Sequence, residues 1–101
     1  MNRPSASKSW SADLTWRIEL TRTAELQIVK LDHTSQARIV SYLRQRILSA
    51  ANPRQFGKAL QGDKQGLWRY RVGDFRIICE IQDVNSCVLV LAVAHRRKVY
   101  R

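Results

Sequence analysis

The clearest pattern in the sequence is an alternation of apolar and polar positions, which is typical of β-strands that bury one face. It is strongest at residues 67–72, where Arg69 and Arg71 alternate with large apolar side chains. Three other short stretches are alternating or apolar and are bounded by residues that favour turns. The pattern therefore predicts four strands, at residues 15–20, 67–72, 75–81 and 87–94.

Apolar residues recur at helical spacing in two segments between the first and second predicted strands. The first helix is expected to begin after Thr21 or Thr23, whose hydroxyls can cap a helix, and the second after Ser35. Asn52-Pro53 is expected to end the second helix, because the residue before a proline disfavours helical backbone. The apolar stripes consist of Ala24, Ile28 and Leu31 in the first helix and Ile39, Val40, Leu43, Ile47 and Leu48 in the second.

The order of these elements, β-α-α-β-β-β, predicts an α+β fold in which a helical hairpin packs on one face of a mainly antiparallel four-stranded sheet. Residues 15–101 are expected to form this domain, since about a hundred residues suffice for one core. Residues 1–14 are polar and rich in serine, so they are interpreted as a flexible N-terminal tail. Trp10 is the one aromatic residue of that tail and can dock on the domain.

Gly73-Asp74 separates two predicted strands and is a typical two-residue hairpin loop. A loop of this length sets the register, which places Arg71 directly opposite Arg76 on one face of the sheet. Like charges opposite each other destabilise a sheet. The pair therefore indicates a site that binds an anion.

The charge balance points to a polyanionic partner. The chain has 18 lysine and arginine residues against 8 aspartate and glutamate residues, for a formal net charge of +10. Nucleic acid, an anionic membrane surface and an acidic protein are the candidate partners. No apolar stretch is long enough for a membrane span, and the N-terminal residues lack the apolar core of a secretory signal. The prediction is a cytoplasmic protein without a membrane partner.

The cysteine and histidine residues do not indicate a metal site. Cys79, Cys87, His33 and His95 lack the short spacings of zinc ligands. No Gly-rich phosphate loop is present either, so no metal and no cofactor is predicted. The two cysteines are expected to be reduced and buried in neighbouring strands.

Three segments together resemble the RelE branch of the RelE/ParE toxin superfamily. They are Leu60-x-Gly62, residues 66–78 with the arginine hairpin, and residues 94–100 with the sequence Ala-His-Arg-Arg-Lys-Val-Tyr. The resemblance spans about residues 15–101. It implies a toxin of a type II toxin–antitoxin system that enters the ribosomal A site, cleaves mRNA and inhibits translation. It also implies a cognate RelB-like antitoxin that forms a heteromeric complex with the toxin.

Such a cleavage needs no metal when the 2′-hydroxyl of the RNA attacks the adjacent phosphorus. The enzyme must then help remove one proton, stabilise the phosphorane and protonate the leaving oxygen. Arginine remains protonated and its planar fork suits the phosphorane, whereas histidine and tyrosine can transfer protons. The predicted catalytic residues are Arg71, Arg76, His95, Arg96 and Tyr100, and the predicted RNA- or ribosome-binding residues are Lys58, Lys64, Arg69, Arg97, Lys98 and Arg101.

Two questions stay open at this point. Some RelE-type toxins have lysines where this chain has Arg69 and Arg71. If a lysine acts as the general base in those toxins, His95, Tyr100 or water must take that role in this chain, because arginine does not lose its proton. The function also has alternatives. A ParE-like toxin that inhibits DNA gyrase would share the fold without needing the arginine site, and a plain nucleic-acid-binding module would need only the charge.

Overall fold

The computed structural model describes residues 6–11, 16–60 and 66–96. Two α-helices pack against one face of a single mixed sheet, which confirms the predicted α+β class. The strands are β1 (Ala6–Ser11), β2 (Arg17–Thr21), β3 (Lys58–Ala59), β4 (Leu67–Val72), β5 (Phe75–Gln82) and β6 (Cys87–His95). The helices are α1 (Arg22–Val29) and α2 (His33–Tyr42).

The sheet has six strands in the order β1-β2-β6-β5-β4-β3, where four were predicted. The pairings are antiparallel except for β2 with β6, which run parallel. A parallel pair needs a long crossover connection, and here the helical hairpin with the β3–β5 segment supplies it. The two additional strands, β1 and β3, lie at the two edges of the sheet.

The strand β1 corrects part of the predicted N-terminal tail. Residues 6–11 pair with β2, with Trp10 opposite Ile18. Trp10 packs against the core, and the Lys8 ammonium lies 3.4 Å from the carboxylate of Glu25 on α1. The serine-rich composition concealed this strand, because its stability comes from backbone pairing and one aromatic side chain rather than from β propensity.

The two helices begin at residues with side chains that satisfy free backbone N–H groups. The Thr21 hydroxyl accepts a 3.1 Å hydrogen bond from the Ala24 amide, which confirms one of the two predicted caps of α1. The cap of α2 is Asp32 and not the predicted Ser35, whose own amide donates to the Asp32 carboxylate at 3.1 Å. A carboxylate satisfies the amide and also complements the positive end of the helix dipole.

The second helix also ends differently from the prediction. After Tyr42 the chain continues through a π-helical turn, Leu43–Ile47, and leaves the helix before Asn52-Pro53. Asn52 instead caps a short 3₁₀ helix, Pro53–Gln55, by accepting a hydrogen bond from the Arg54 amide. Proline suits the first position of a helix because its missing N–H would have no partner there.

The core lies between the helices and the sheet. Its fully buried members come from four strands and both helical segments, and Tyr70 is the largest of them. Cys79 and Cys87 are buried and free, as predicted. Burial raises the pKa of the Cys79 thiol well above its usual range. No helix within the described ranges is long and apolar enough to cross a membrane.

The first helix is also attached to β6 where the β5–β6 register shifts between Ile78 and Cys79. The Thr21 hydroxyl donates to the Leu91 carbonyl at 3.0 Å. The Val93 amide donates to the Gln27 side-chain carbonyl at 2.6 Å. These two bonds satisfy the Leu91 carbonyl and the Val93 amide beside the register shift. They also fix the direction of the last residues of β6.

Candidate nucleic-acid interface

The arginine pair lies where the sequence predicted it. Arg71 is the cross-strand partner of Arg76, and Gly73 at the turn has a positive φ of 59°. Because paired residues share a face, both guanidinium groups lie on the side of the sheet away from the helices. Arg71 is exposed and Arg76 is partly buried. The predicted register of the hairpin is therefore confirmed.

The short strand β3 adds a lysine to the same face. Lys58 pairs with Arg69 in the ladder between β3 and β4. We call the face formed by Lys58, Arg69, Arg71 and Arg76 the arginine face.

The segment before β3 is attached to β4 by two aromatic side chains. The Trp68 indole N–H donates to the Phe56 carbonyl at 2.7 Å, and the Tyr70 hydroxyl donates to the Pro53 carbonyl at 2.7 Å. Burial raises the pKa of Tyr70, so its hydroxyl remains a donor. These bonds hold the backbone immediately before Lys58 close to the strand.

Glycine is required at position 57 by this close approach. Its φ is +77°, and a Cβ at this position would lie 2.3 Å from the Arg69 carbonyl and 2.7 Å from the Trp68 indole nitrogen. An L-residue would be strained and would also push the segment away from β4. Gly57 therefore determines how closely Lys58 approaches the arginines.

Two adjoining cavities open on this part of the sheet. One, of about 420 Å³, is lined by Lys58, Ala59, Leu60, Arg69 and Arg76. The other, of about 230 Å³, is lined by Tyr42, Gly57, Lys58, Arg69 and Arg71 at the edge of β4, and we call it the edge cavity. Lys58 and Arg69 line both cavities, so each cavity has three cationic side chains.

The Nε atom of Arg76 is buried and has no hydrogen-bond partner among the described residues. A buried donor without a partner is unfavourable by roughly 1–3 kcal/mol. The side chain also faces the like charge of Arg71. Both features are unfavourable in the protein alone, and an oxyanion placed in the cavity would offset the like charges of the two guanidinium groups.

Arg96 is held beside the hairpin turn. Its backbone N–H donates to the Asp74 carbonyl at 2.6 Å, and its Nε lies 3.5 Å from an Asp74 carboxylate oxygen. The side chain is exposed, so the ion pair is weak and an anionic ligand can compete for it. The structure thus brings Arg96 to the same end of the hairpin as Arg71 and Arg76.

His95 is not on the arginine face by its register. It pairs with Phe75, which in turn pairs with Val72, so these three residues form the neighbouring row that faces the helices. The His95 and Phe75 rings meet edge to face with centroids 5.3 Å apart. His95 therefore lies on the opposite face of the sheet from Arg71 and Arg76.

Five predicted residues lie outside the described ranges: Lys64, Arg97, Lys98, Tyr100 and Arg101. Two other residues line the edge cavity without having been predicted, Tyr42 and Gly57. Gly57 follows Pro53 in an irregular segment, where glycine usually indicates only a turn. Tyr42 has no signal in the sequence, because its place in the site depends on how α2 crosses β4. In the part of the chain that the structure describes, no group of His, Cys, Asp and Glu side chains is suited to a metal ion.

Comparison with known proteins identifies the family. The sequence model described as "ParE toxin of type II toxin-antitoxin system, parDE" matches residues 18–100. The chain belongs to the RelE/ParE superfamily of toxins. It is 31% identical over 91 residues to Toxin RelE of Mycobacterium tuberculosis, a match that covers 90% of this chain and 92% of the relative. It is 27% identical over 88 residues to Toxin RelG of the same organism, covering 87% and 99%.

Solved structures of RelE proteins share the fold of this toxin. The toxin–antitoxin complex RelBE2 of Mycobacterium tuberculosis matches with a TM-score of 0.74 and 26% identity, over 85% of this chain and 97% of the other. The RelE–RelB complex of Pyrococcus horikoshii matches with a TM-score of 0.65 and 21% identity, over 85% and 100%. The isolated RelE toxin of Escherichia coli matches with a TM-score of 0.64 and 15% identity, over 85% and 88%.

Proposed function

We propose that this RelE-like toxin is an endoribonuclease that cleaves mRNA in the ribosomal A site and so inhibits translation. The observation that carries the proposal is the direct opposition of Arg71 and Arg76 beside Lys58 and Arg69. Four cations on one sheet face form a site suited to a phosphate that gains charge.

In the proposed reaction the 2′-oxygen of a ribose forms a bond to the adjacent phosphorus, and the bond from phosphorus to the 5′-oxygen breaks. The products are a 2′,3′-cyclic phosphate and a free 5′-hydroxyl. One proton leaves the attacking hydroxyl, and one is delivered to the departing oxygen. Arg71 and Arg76 hold the non-bridging oxygens through their planar forks, and Arg96 joins them from the turn.

The proton-transfer groups are His95, Tyr100 or water. His95 lies in the row of Phe75, so it would have to turn toward the arginine face to reach the substrate. Lys64, Arg97, Lys98 and Arg101 complete the proposed contacts with mRNA and the ribosome, together with Lys58 and Arg69.

We also propose that a RelB-like antitoxin neutralises this toxin by covering or distorting the arginine face. Two of the structures that share its fold are complexes of RelE-type toxins with RelB-type antitoxins. The formal net charge of +10 favours fast association with an acidic partner, and salt should slow that association. Such a pair acts in the cytoplasm, where ribosomes are found.

The decisive experiment is primer extension on mRNA from cells in which the toxin is induced, followed by single-turnover cleavage on programmed ribosomes. Arg76→Ala should lower the rate at saturating toxin by roughly 10²–10³-fold, as expected for a donor that acts mainly in the transition state. Arg76→Lys should recover only part of the loss, because a point charge lacks the fork. Arg22→Ala, on the exposed side of α1, is the matched control.

A normal cleavage rate at saturating toxin, together with weakened ribosome binding, would make Arg76 a phosphate anchor only.

A second candidate function follows from the family model that matches, which describes ParE toxins. Supercoiling assays with purified DNA gyrase test it directly. Inhibition of gyrase without mRNA cleavage in induced cells would replace the ribonuclease proposal.

A further inference from the structure

A third cavity lies on the helix side of the sheet, next to the two cavities of the arginine face. It has a volume of about 270 Å³ and shares Tyr42 with the edge cavity. Since β3 has only two residues, the end of β4 near Val72 is not covered by it, and the groove passes over that edge. Each cavity shares at least one lining residue with the next, and we call the three together the edge groove. The third cavity is lined by Arg38, Ser41, Tyr42, Gln45, Arg46 and Val72.

The edge groove is strongly cationic along its whole length. None of the described residues that line it is acidic. A groove lined by one sign of charge concentrates the field and attracts a polyanion along its path. Its cations are Arg76, Arg69, Lys58, Arg71, Arg38 and Arg46, in order from the sheet face to the helix.

The two arginines on the helix side are held in place by neighbouring groups. Arg38 lies against the hairpin turn, where a Cβ added to Gly73 would be 3.1 Å from its Nη1 atom. The Arg46 guanidinium lies over the Phe56 ring, 5.6 Å from its centroid. Both side chains are exposed, and neither forms an ion pair with a carboxylate of the described residues, so they can bind a ligand without first losing such a partner.

Tyr42 lies between these arginines, four residues from each, so the three side chains follow one face of the helical segment. Its ring packs against Tyr70 at a centroid distance of 6.0 Å and an interplanar angle of 56°. This contact fixes the ring at the point where the groove crosses the sheet edge. Burial raises the pKa of Tyr42, so its hydroxyl remains a hydrogen-bond donor.

We infer that the edge groove binds single-stranded RNA that continues from the cleaved phosphate over the β4 edge and onto Arg38, Tyr42 and Arg46. The inference rests on the proposed ribonuclease function, which supplies the strand held at Arg76. A row of cations with an aromatic ring between them is the usual site for a sugar–phosphate backbone with one stacked base. An amphipathic helix would need a row of apolar anchor sites instead, and Ala59, Leu60 and Val72 do not form one.

The test measures binding of labelled 2′-O-methyl oligouridylates of about three and about nine nucleotides to the full-length toxin, by fluorescence anisotropy. The variant is Arg38→Ala/Arg46→Ala. Arg22→Ala/Lys30→Ala on α1 removes the same charge away from the groove and is the control. The variant should bind the longer oligonucleotide roughly ten-fold more weakly for each arginine lost, because each loses a charge-assisted phosphate contact.

The dependence of RNA binding on salt and on oligonucleotide length shows whether the variant has lost phosphate contacts in the edge groove. The slope of log affinity against log salt should become shallower by about 1.4 for the variant, from two lost phosphate contacts on a single strand. The control should keep the slope of the unmodified toxin. The shorter oligonucleotide should bind all three proteins about equally, because it occupies only the arginine face.

Tyr42 is tested by a separate pair of substitutions. Tyr42→Phe keeps the ring and should retain the affinity for the longer oligonucleotide, whereas Tyr42→Leu should lower it by roughly ten-fold through loss of base stacking. An abasic oligonucleotide should not distinguish the two variants. Far-UV circular dichroism establishes whether each variant is folded. If Tyr42→Leu is unfolded, the test of the groove rests on the arginine double variant.

Equal affinity of the arginine variant and its control would overturn the inference. So would unchanged RNA binding together with lost binding of an acidic antitoxin peptide, which would make the groove a protein interface. If the toxin fails to cleave mRNA on ribosomes but the variant still loses the long-oligonucleotide affinity, the ribonuclease proposal is wrong and the groove remains an RNA site.

Discussion

The two faces of the β4–β5 hairpin differ sharply although they alternate residue by residue. On the helix side, Tyr70 and Ile77 are opposite each other and fully buried, and the Tyr70 hydroxyl has a partner in the Pro53 carbonyl. One position along, Arg71 and Arg76 oppose like charges, and the Nε of Arg76 has no partner among the described residues. The same two strands therefore stabilise the fold through their buried face. Their other face holds like charges opposite each other, an arrangement that is unfavourable until a ligand binds there.

The largest effect is expected on the buried face. Ile77→Ala should lower the free energy of unfolding by about 2–5 kcal/mol, because it removes three carbons from a fully buried site and leaves a cavity. Urea denaturation followed by tryptophan fluorescence measures the change. A loss below 1 kcal/mol would mean that the core can collapse around this position and that the helix side does not govern stability.

Gly57→Ala tests how the buried and exposed parts are connected. The positive φ and the contact with the Arg69 carbonyl should lower the free energy of unfolding by roughly 1–3 kcal/mol. Displacement of Lys58 should also weaken RNA binding in the folded variant. Ala59→Gly is a suitable comparison, since it loosens the neighbouring exposed position without a clash. Unchanged stability and RNA affinity would contradict the role assigned to Gly57.

Arg76→Met should act in the opposite direction on stability. The methionine keeps an unbranched apolar stem, while the like-charge contact and the buried Nε are removed, so the free energy of unfolding should rise by about 1 kcal/mol. Thermal unfolding and ribosomal cleavage should be measured on the same preparation. A variant that loses both stability and cleavage would show that Arg76 supports the fold, which would remove the contrast between the faces.

The smallest effect is expected at an arginine that has a partner. Arg54 forms two hydrogen bonds with the Asp83 carboxylate, at 2.8 and 2.9 Å, and these lower the pKa of Asp83. The contribution to stability is therefore present above the unfolded pKa of aspartate and is lost as pH falls through the lower folded value. Asp83→Asn should slightly lower the melting temperature at pH 7, and the difference from the unmodified toxin should shrink below about pH 4. A pH-independent difference would indicate packing rather than charge.

Much of the arginine face could be predicted because its geometry is local. Two residues form the turn at Gly73-Asp74, and a two-residue turn leaves only one register for Arg71 and Arg76. The prediction was incomplete where two candidate caps lie close together and where a serine-rich composition conceals a strand. Asp32 replaced Ser35 as a cap, and the pairing of residues 6–11 with β2 was missed. His95 was predicted as catalytic from its titratable ring and the family resemblance, and alternation along β6 places it in the Phe75 row.

The sequence by itself determined the fold class, the hairpin and the three strand arginines on one face, because alternation and turn chemistry act between residues that are close in the chain. Only the tertiary structure decided that Gly57 lies against β4, that Tyr42 and Arg46 border the same groove as Arg69, and that β2 and β6 run parallel. These relations depend on how α2 crosses the sheet and how long the connections are. Many sequences satisfy the same local pattern, and packing of the shared core selects one arrangement among them.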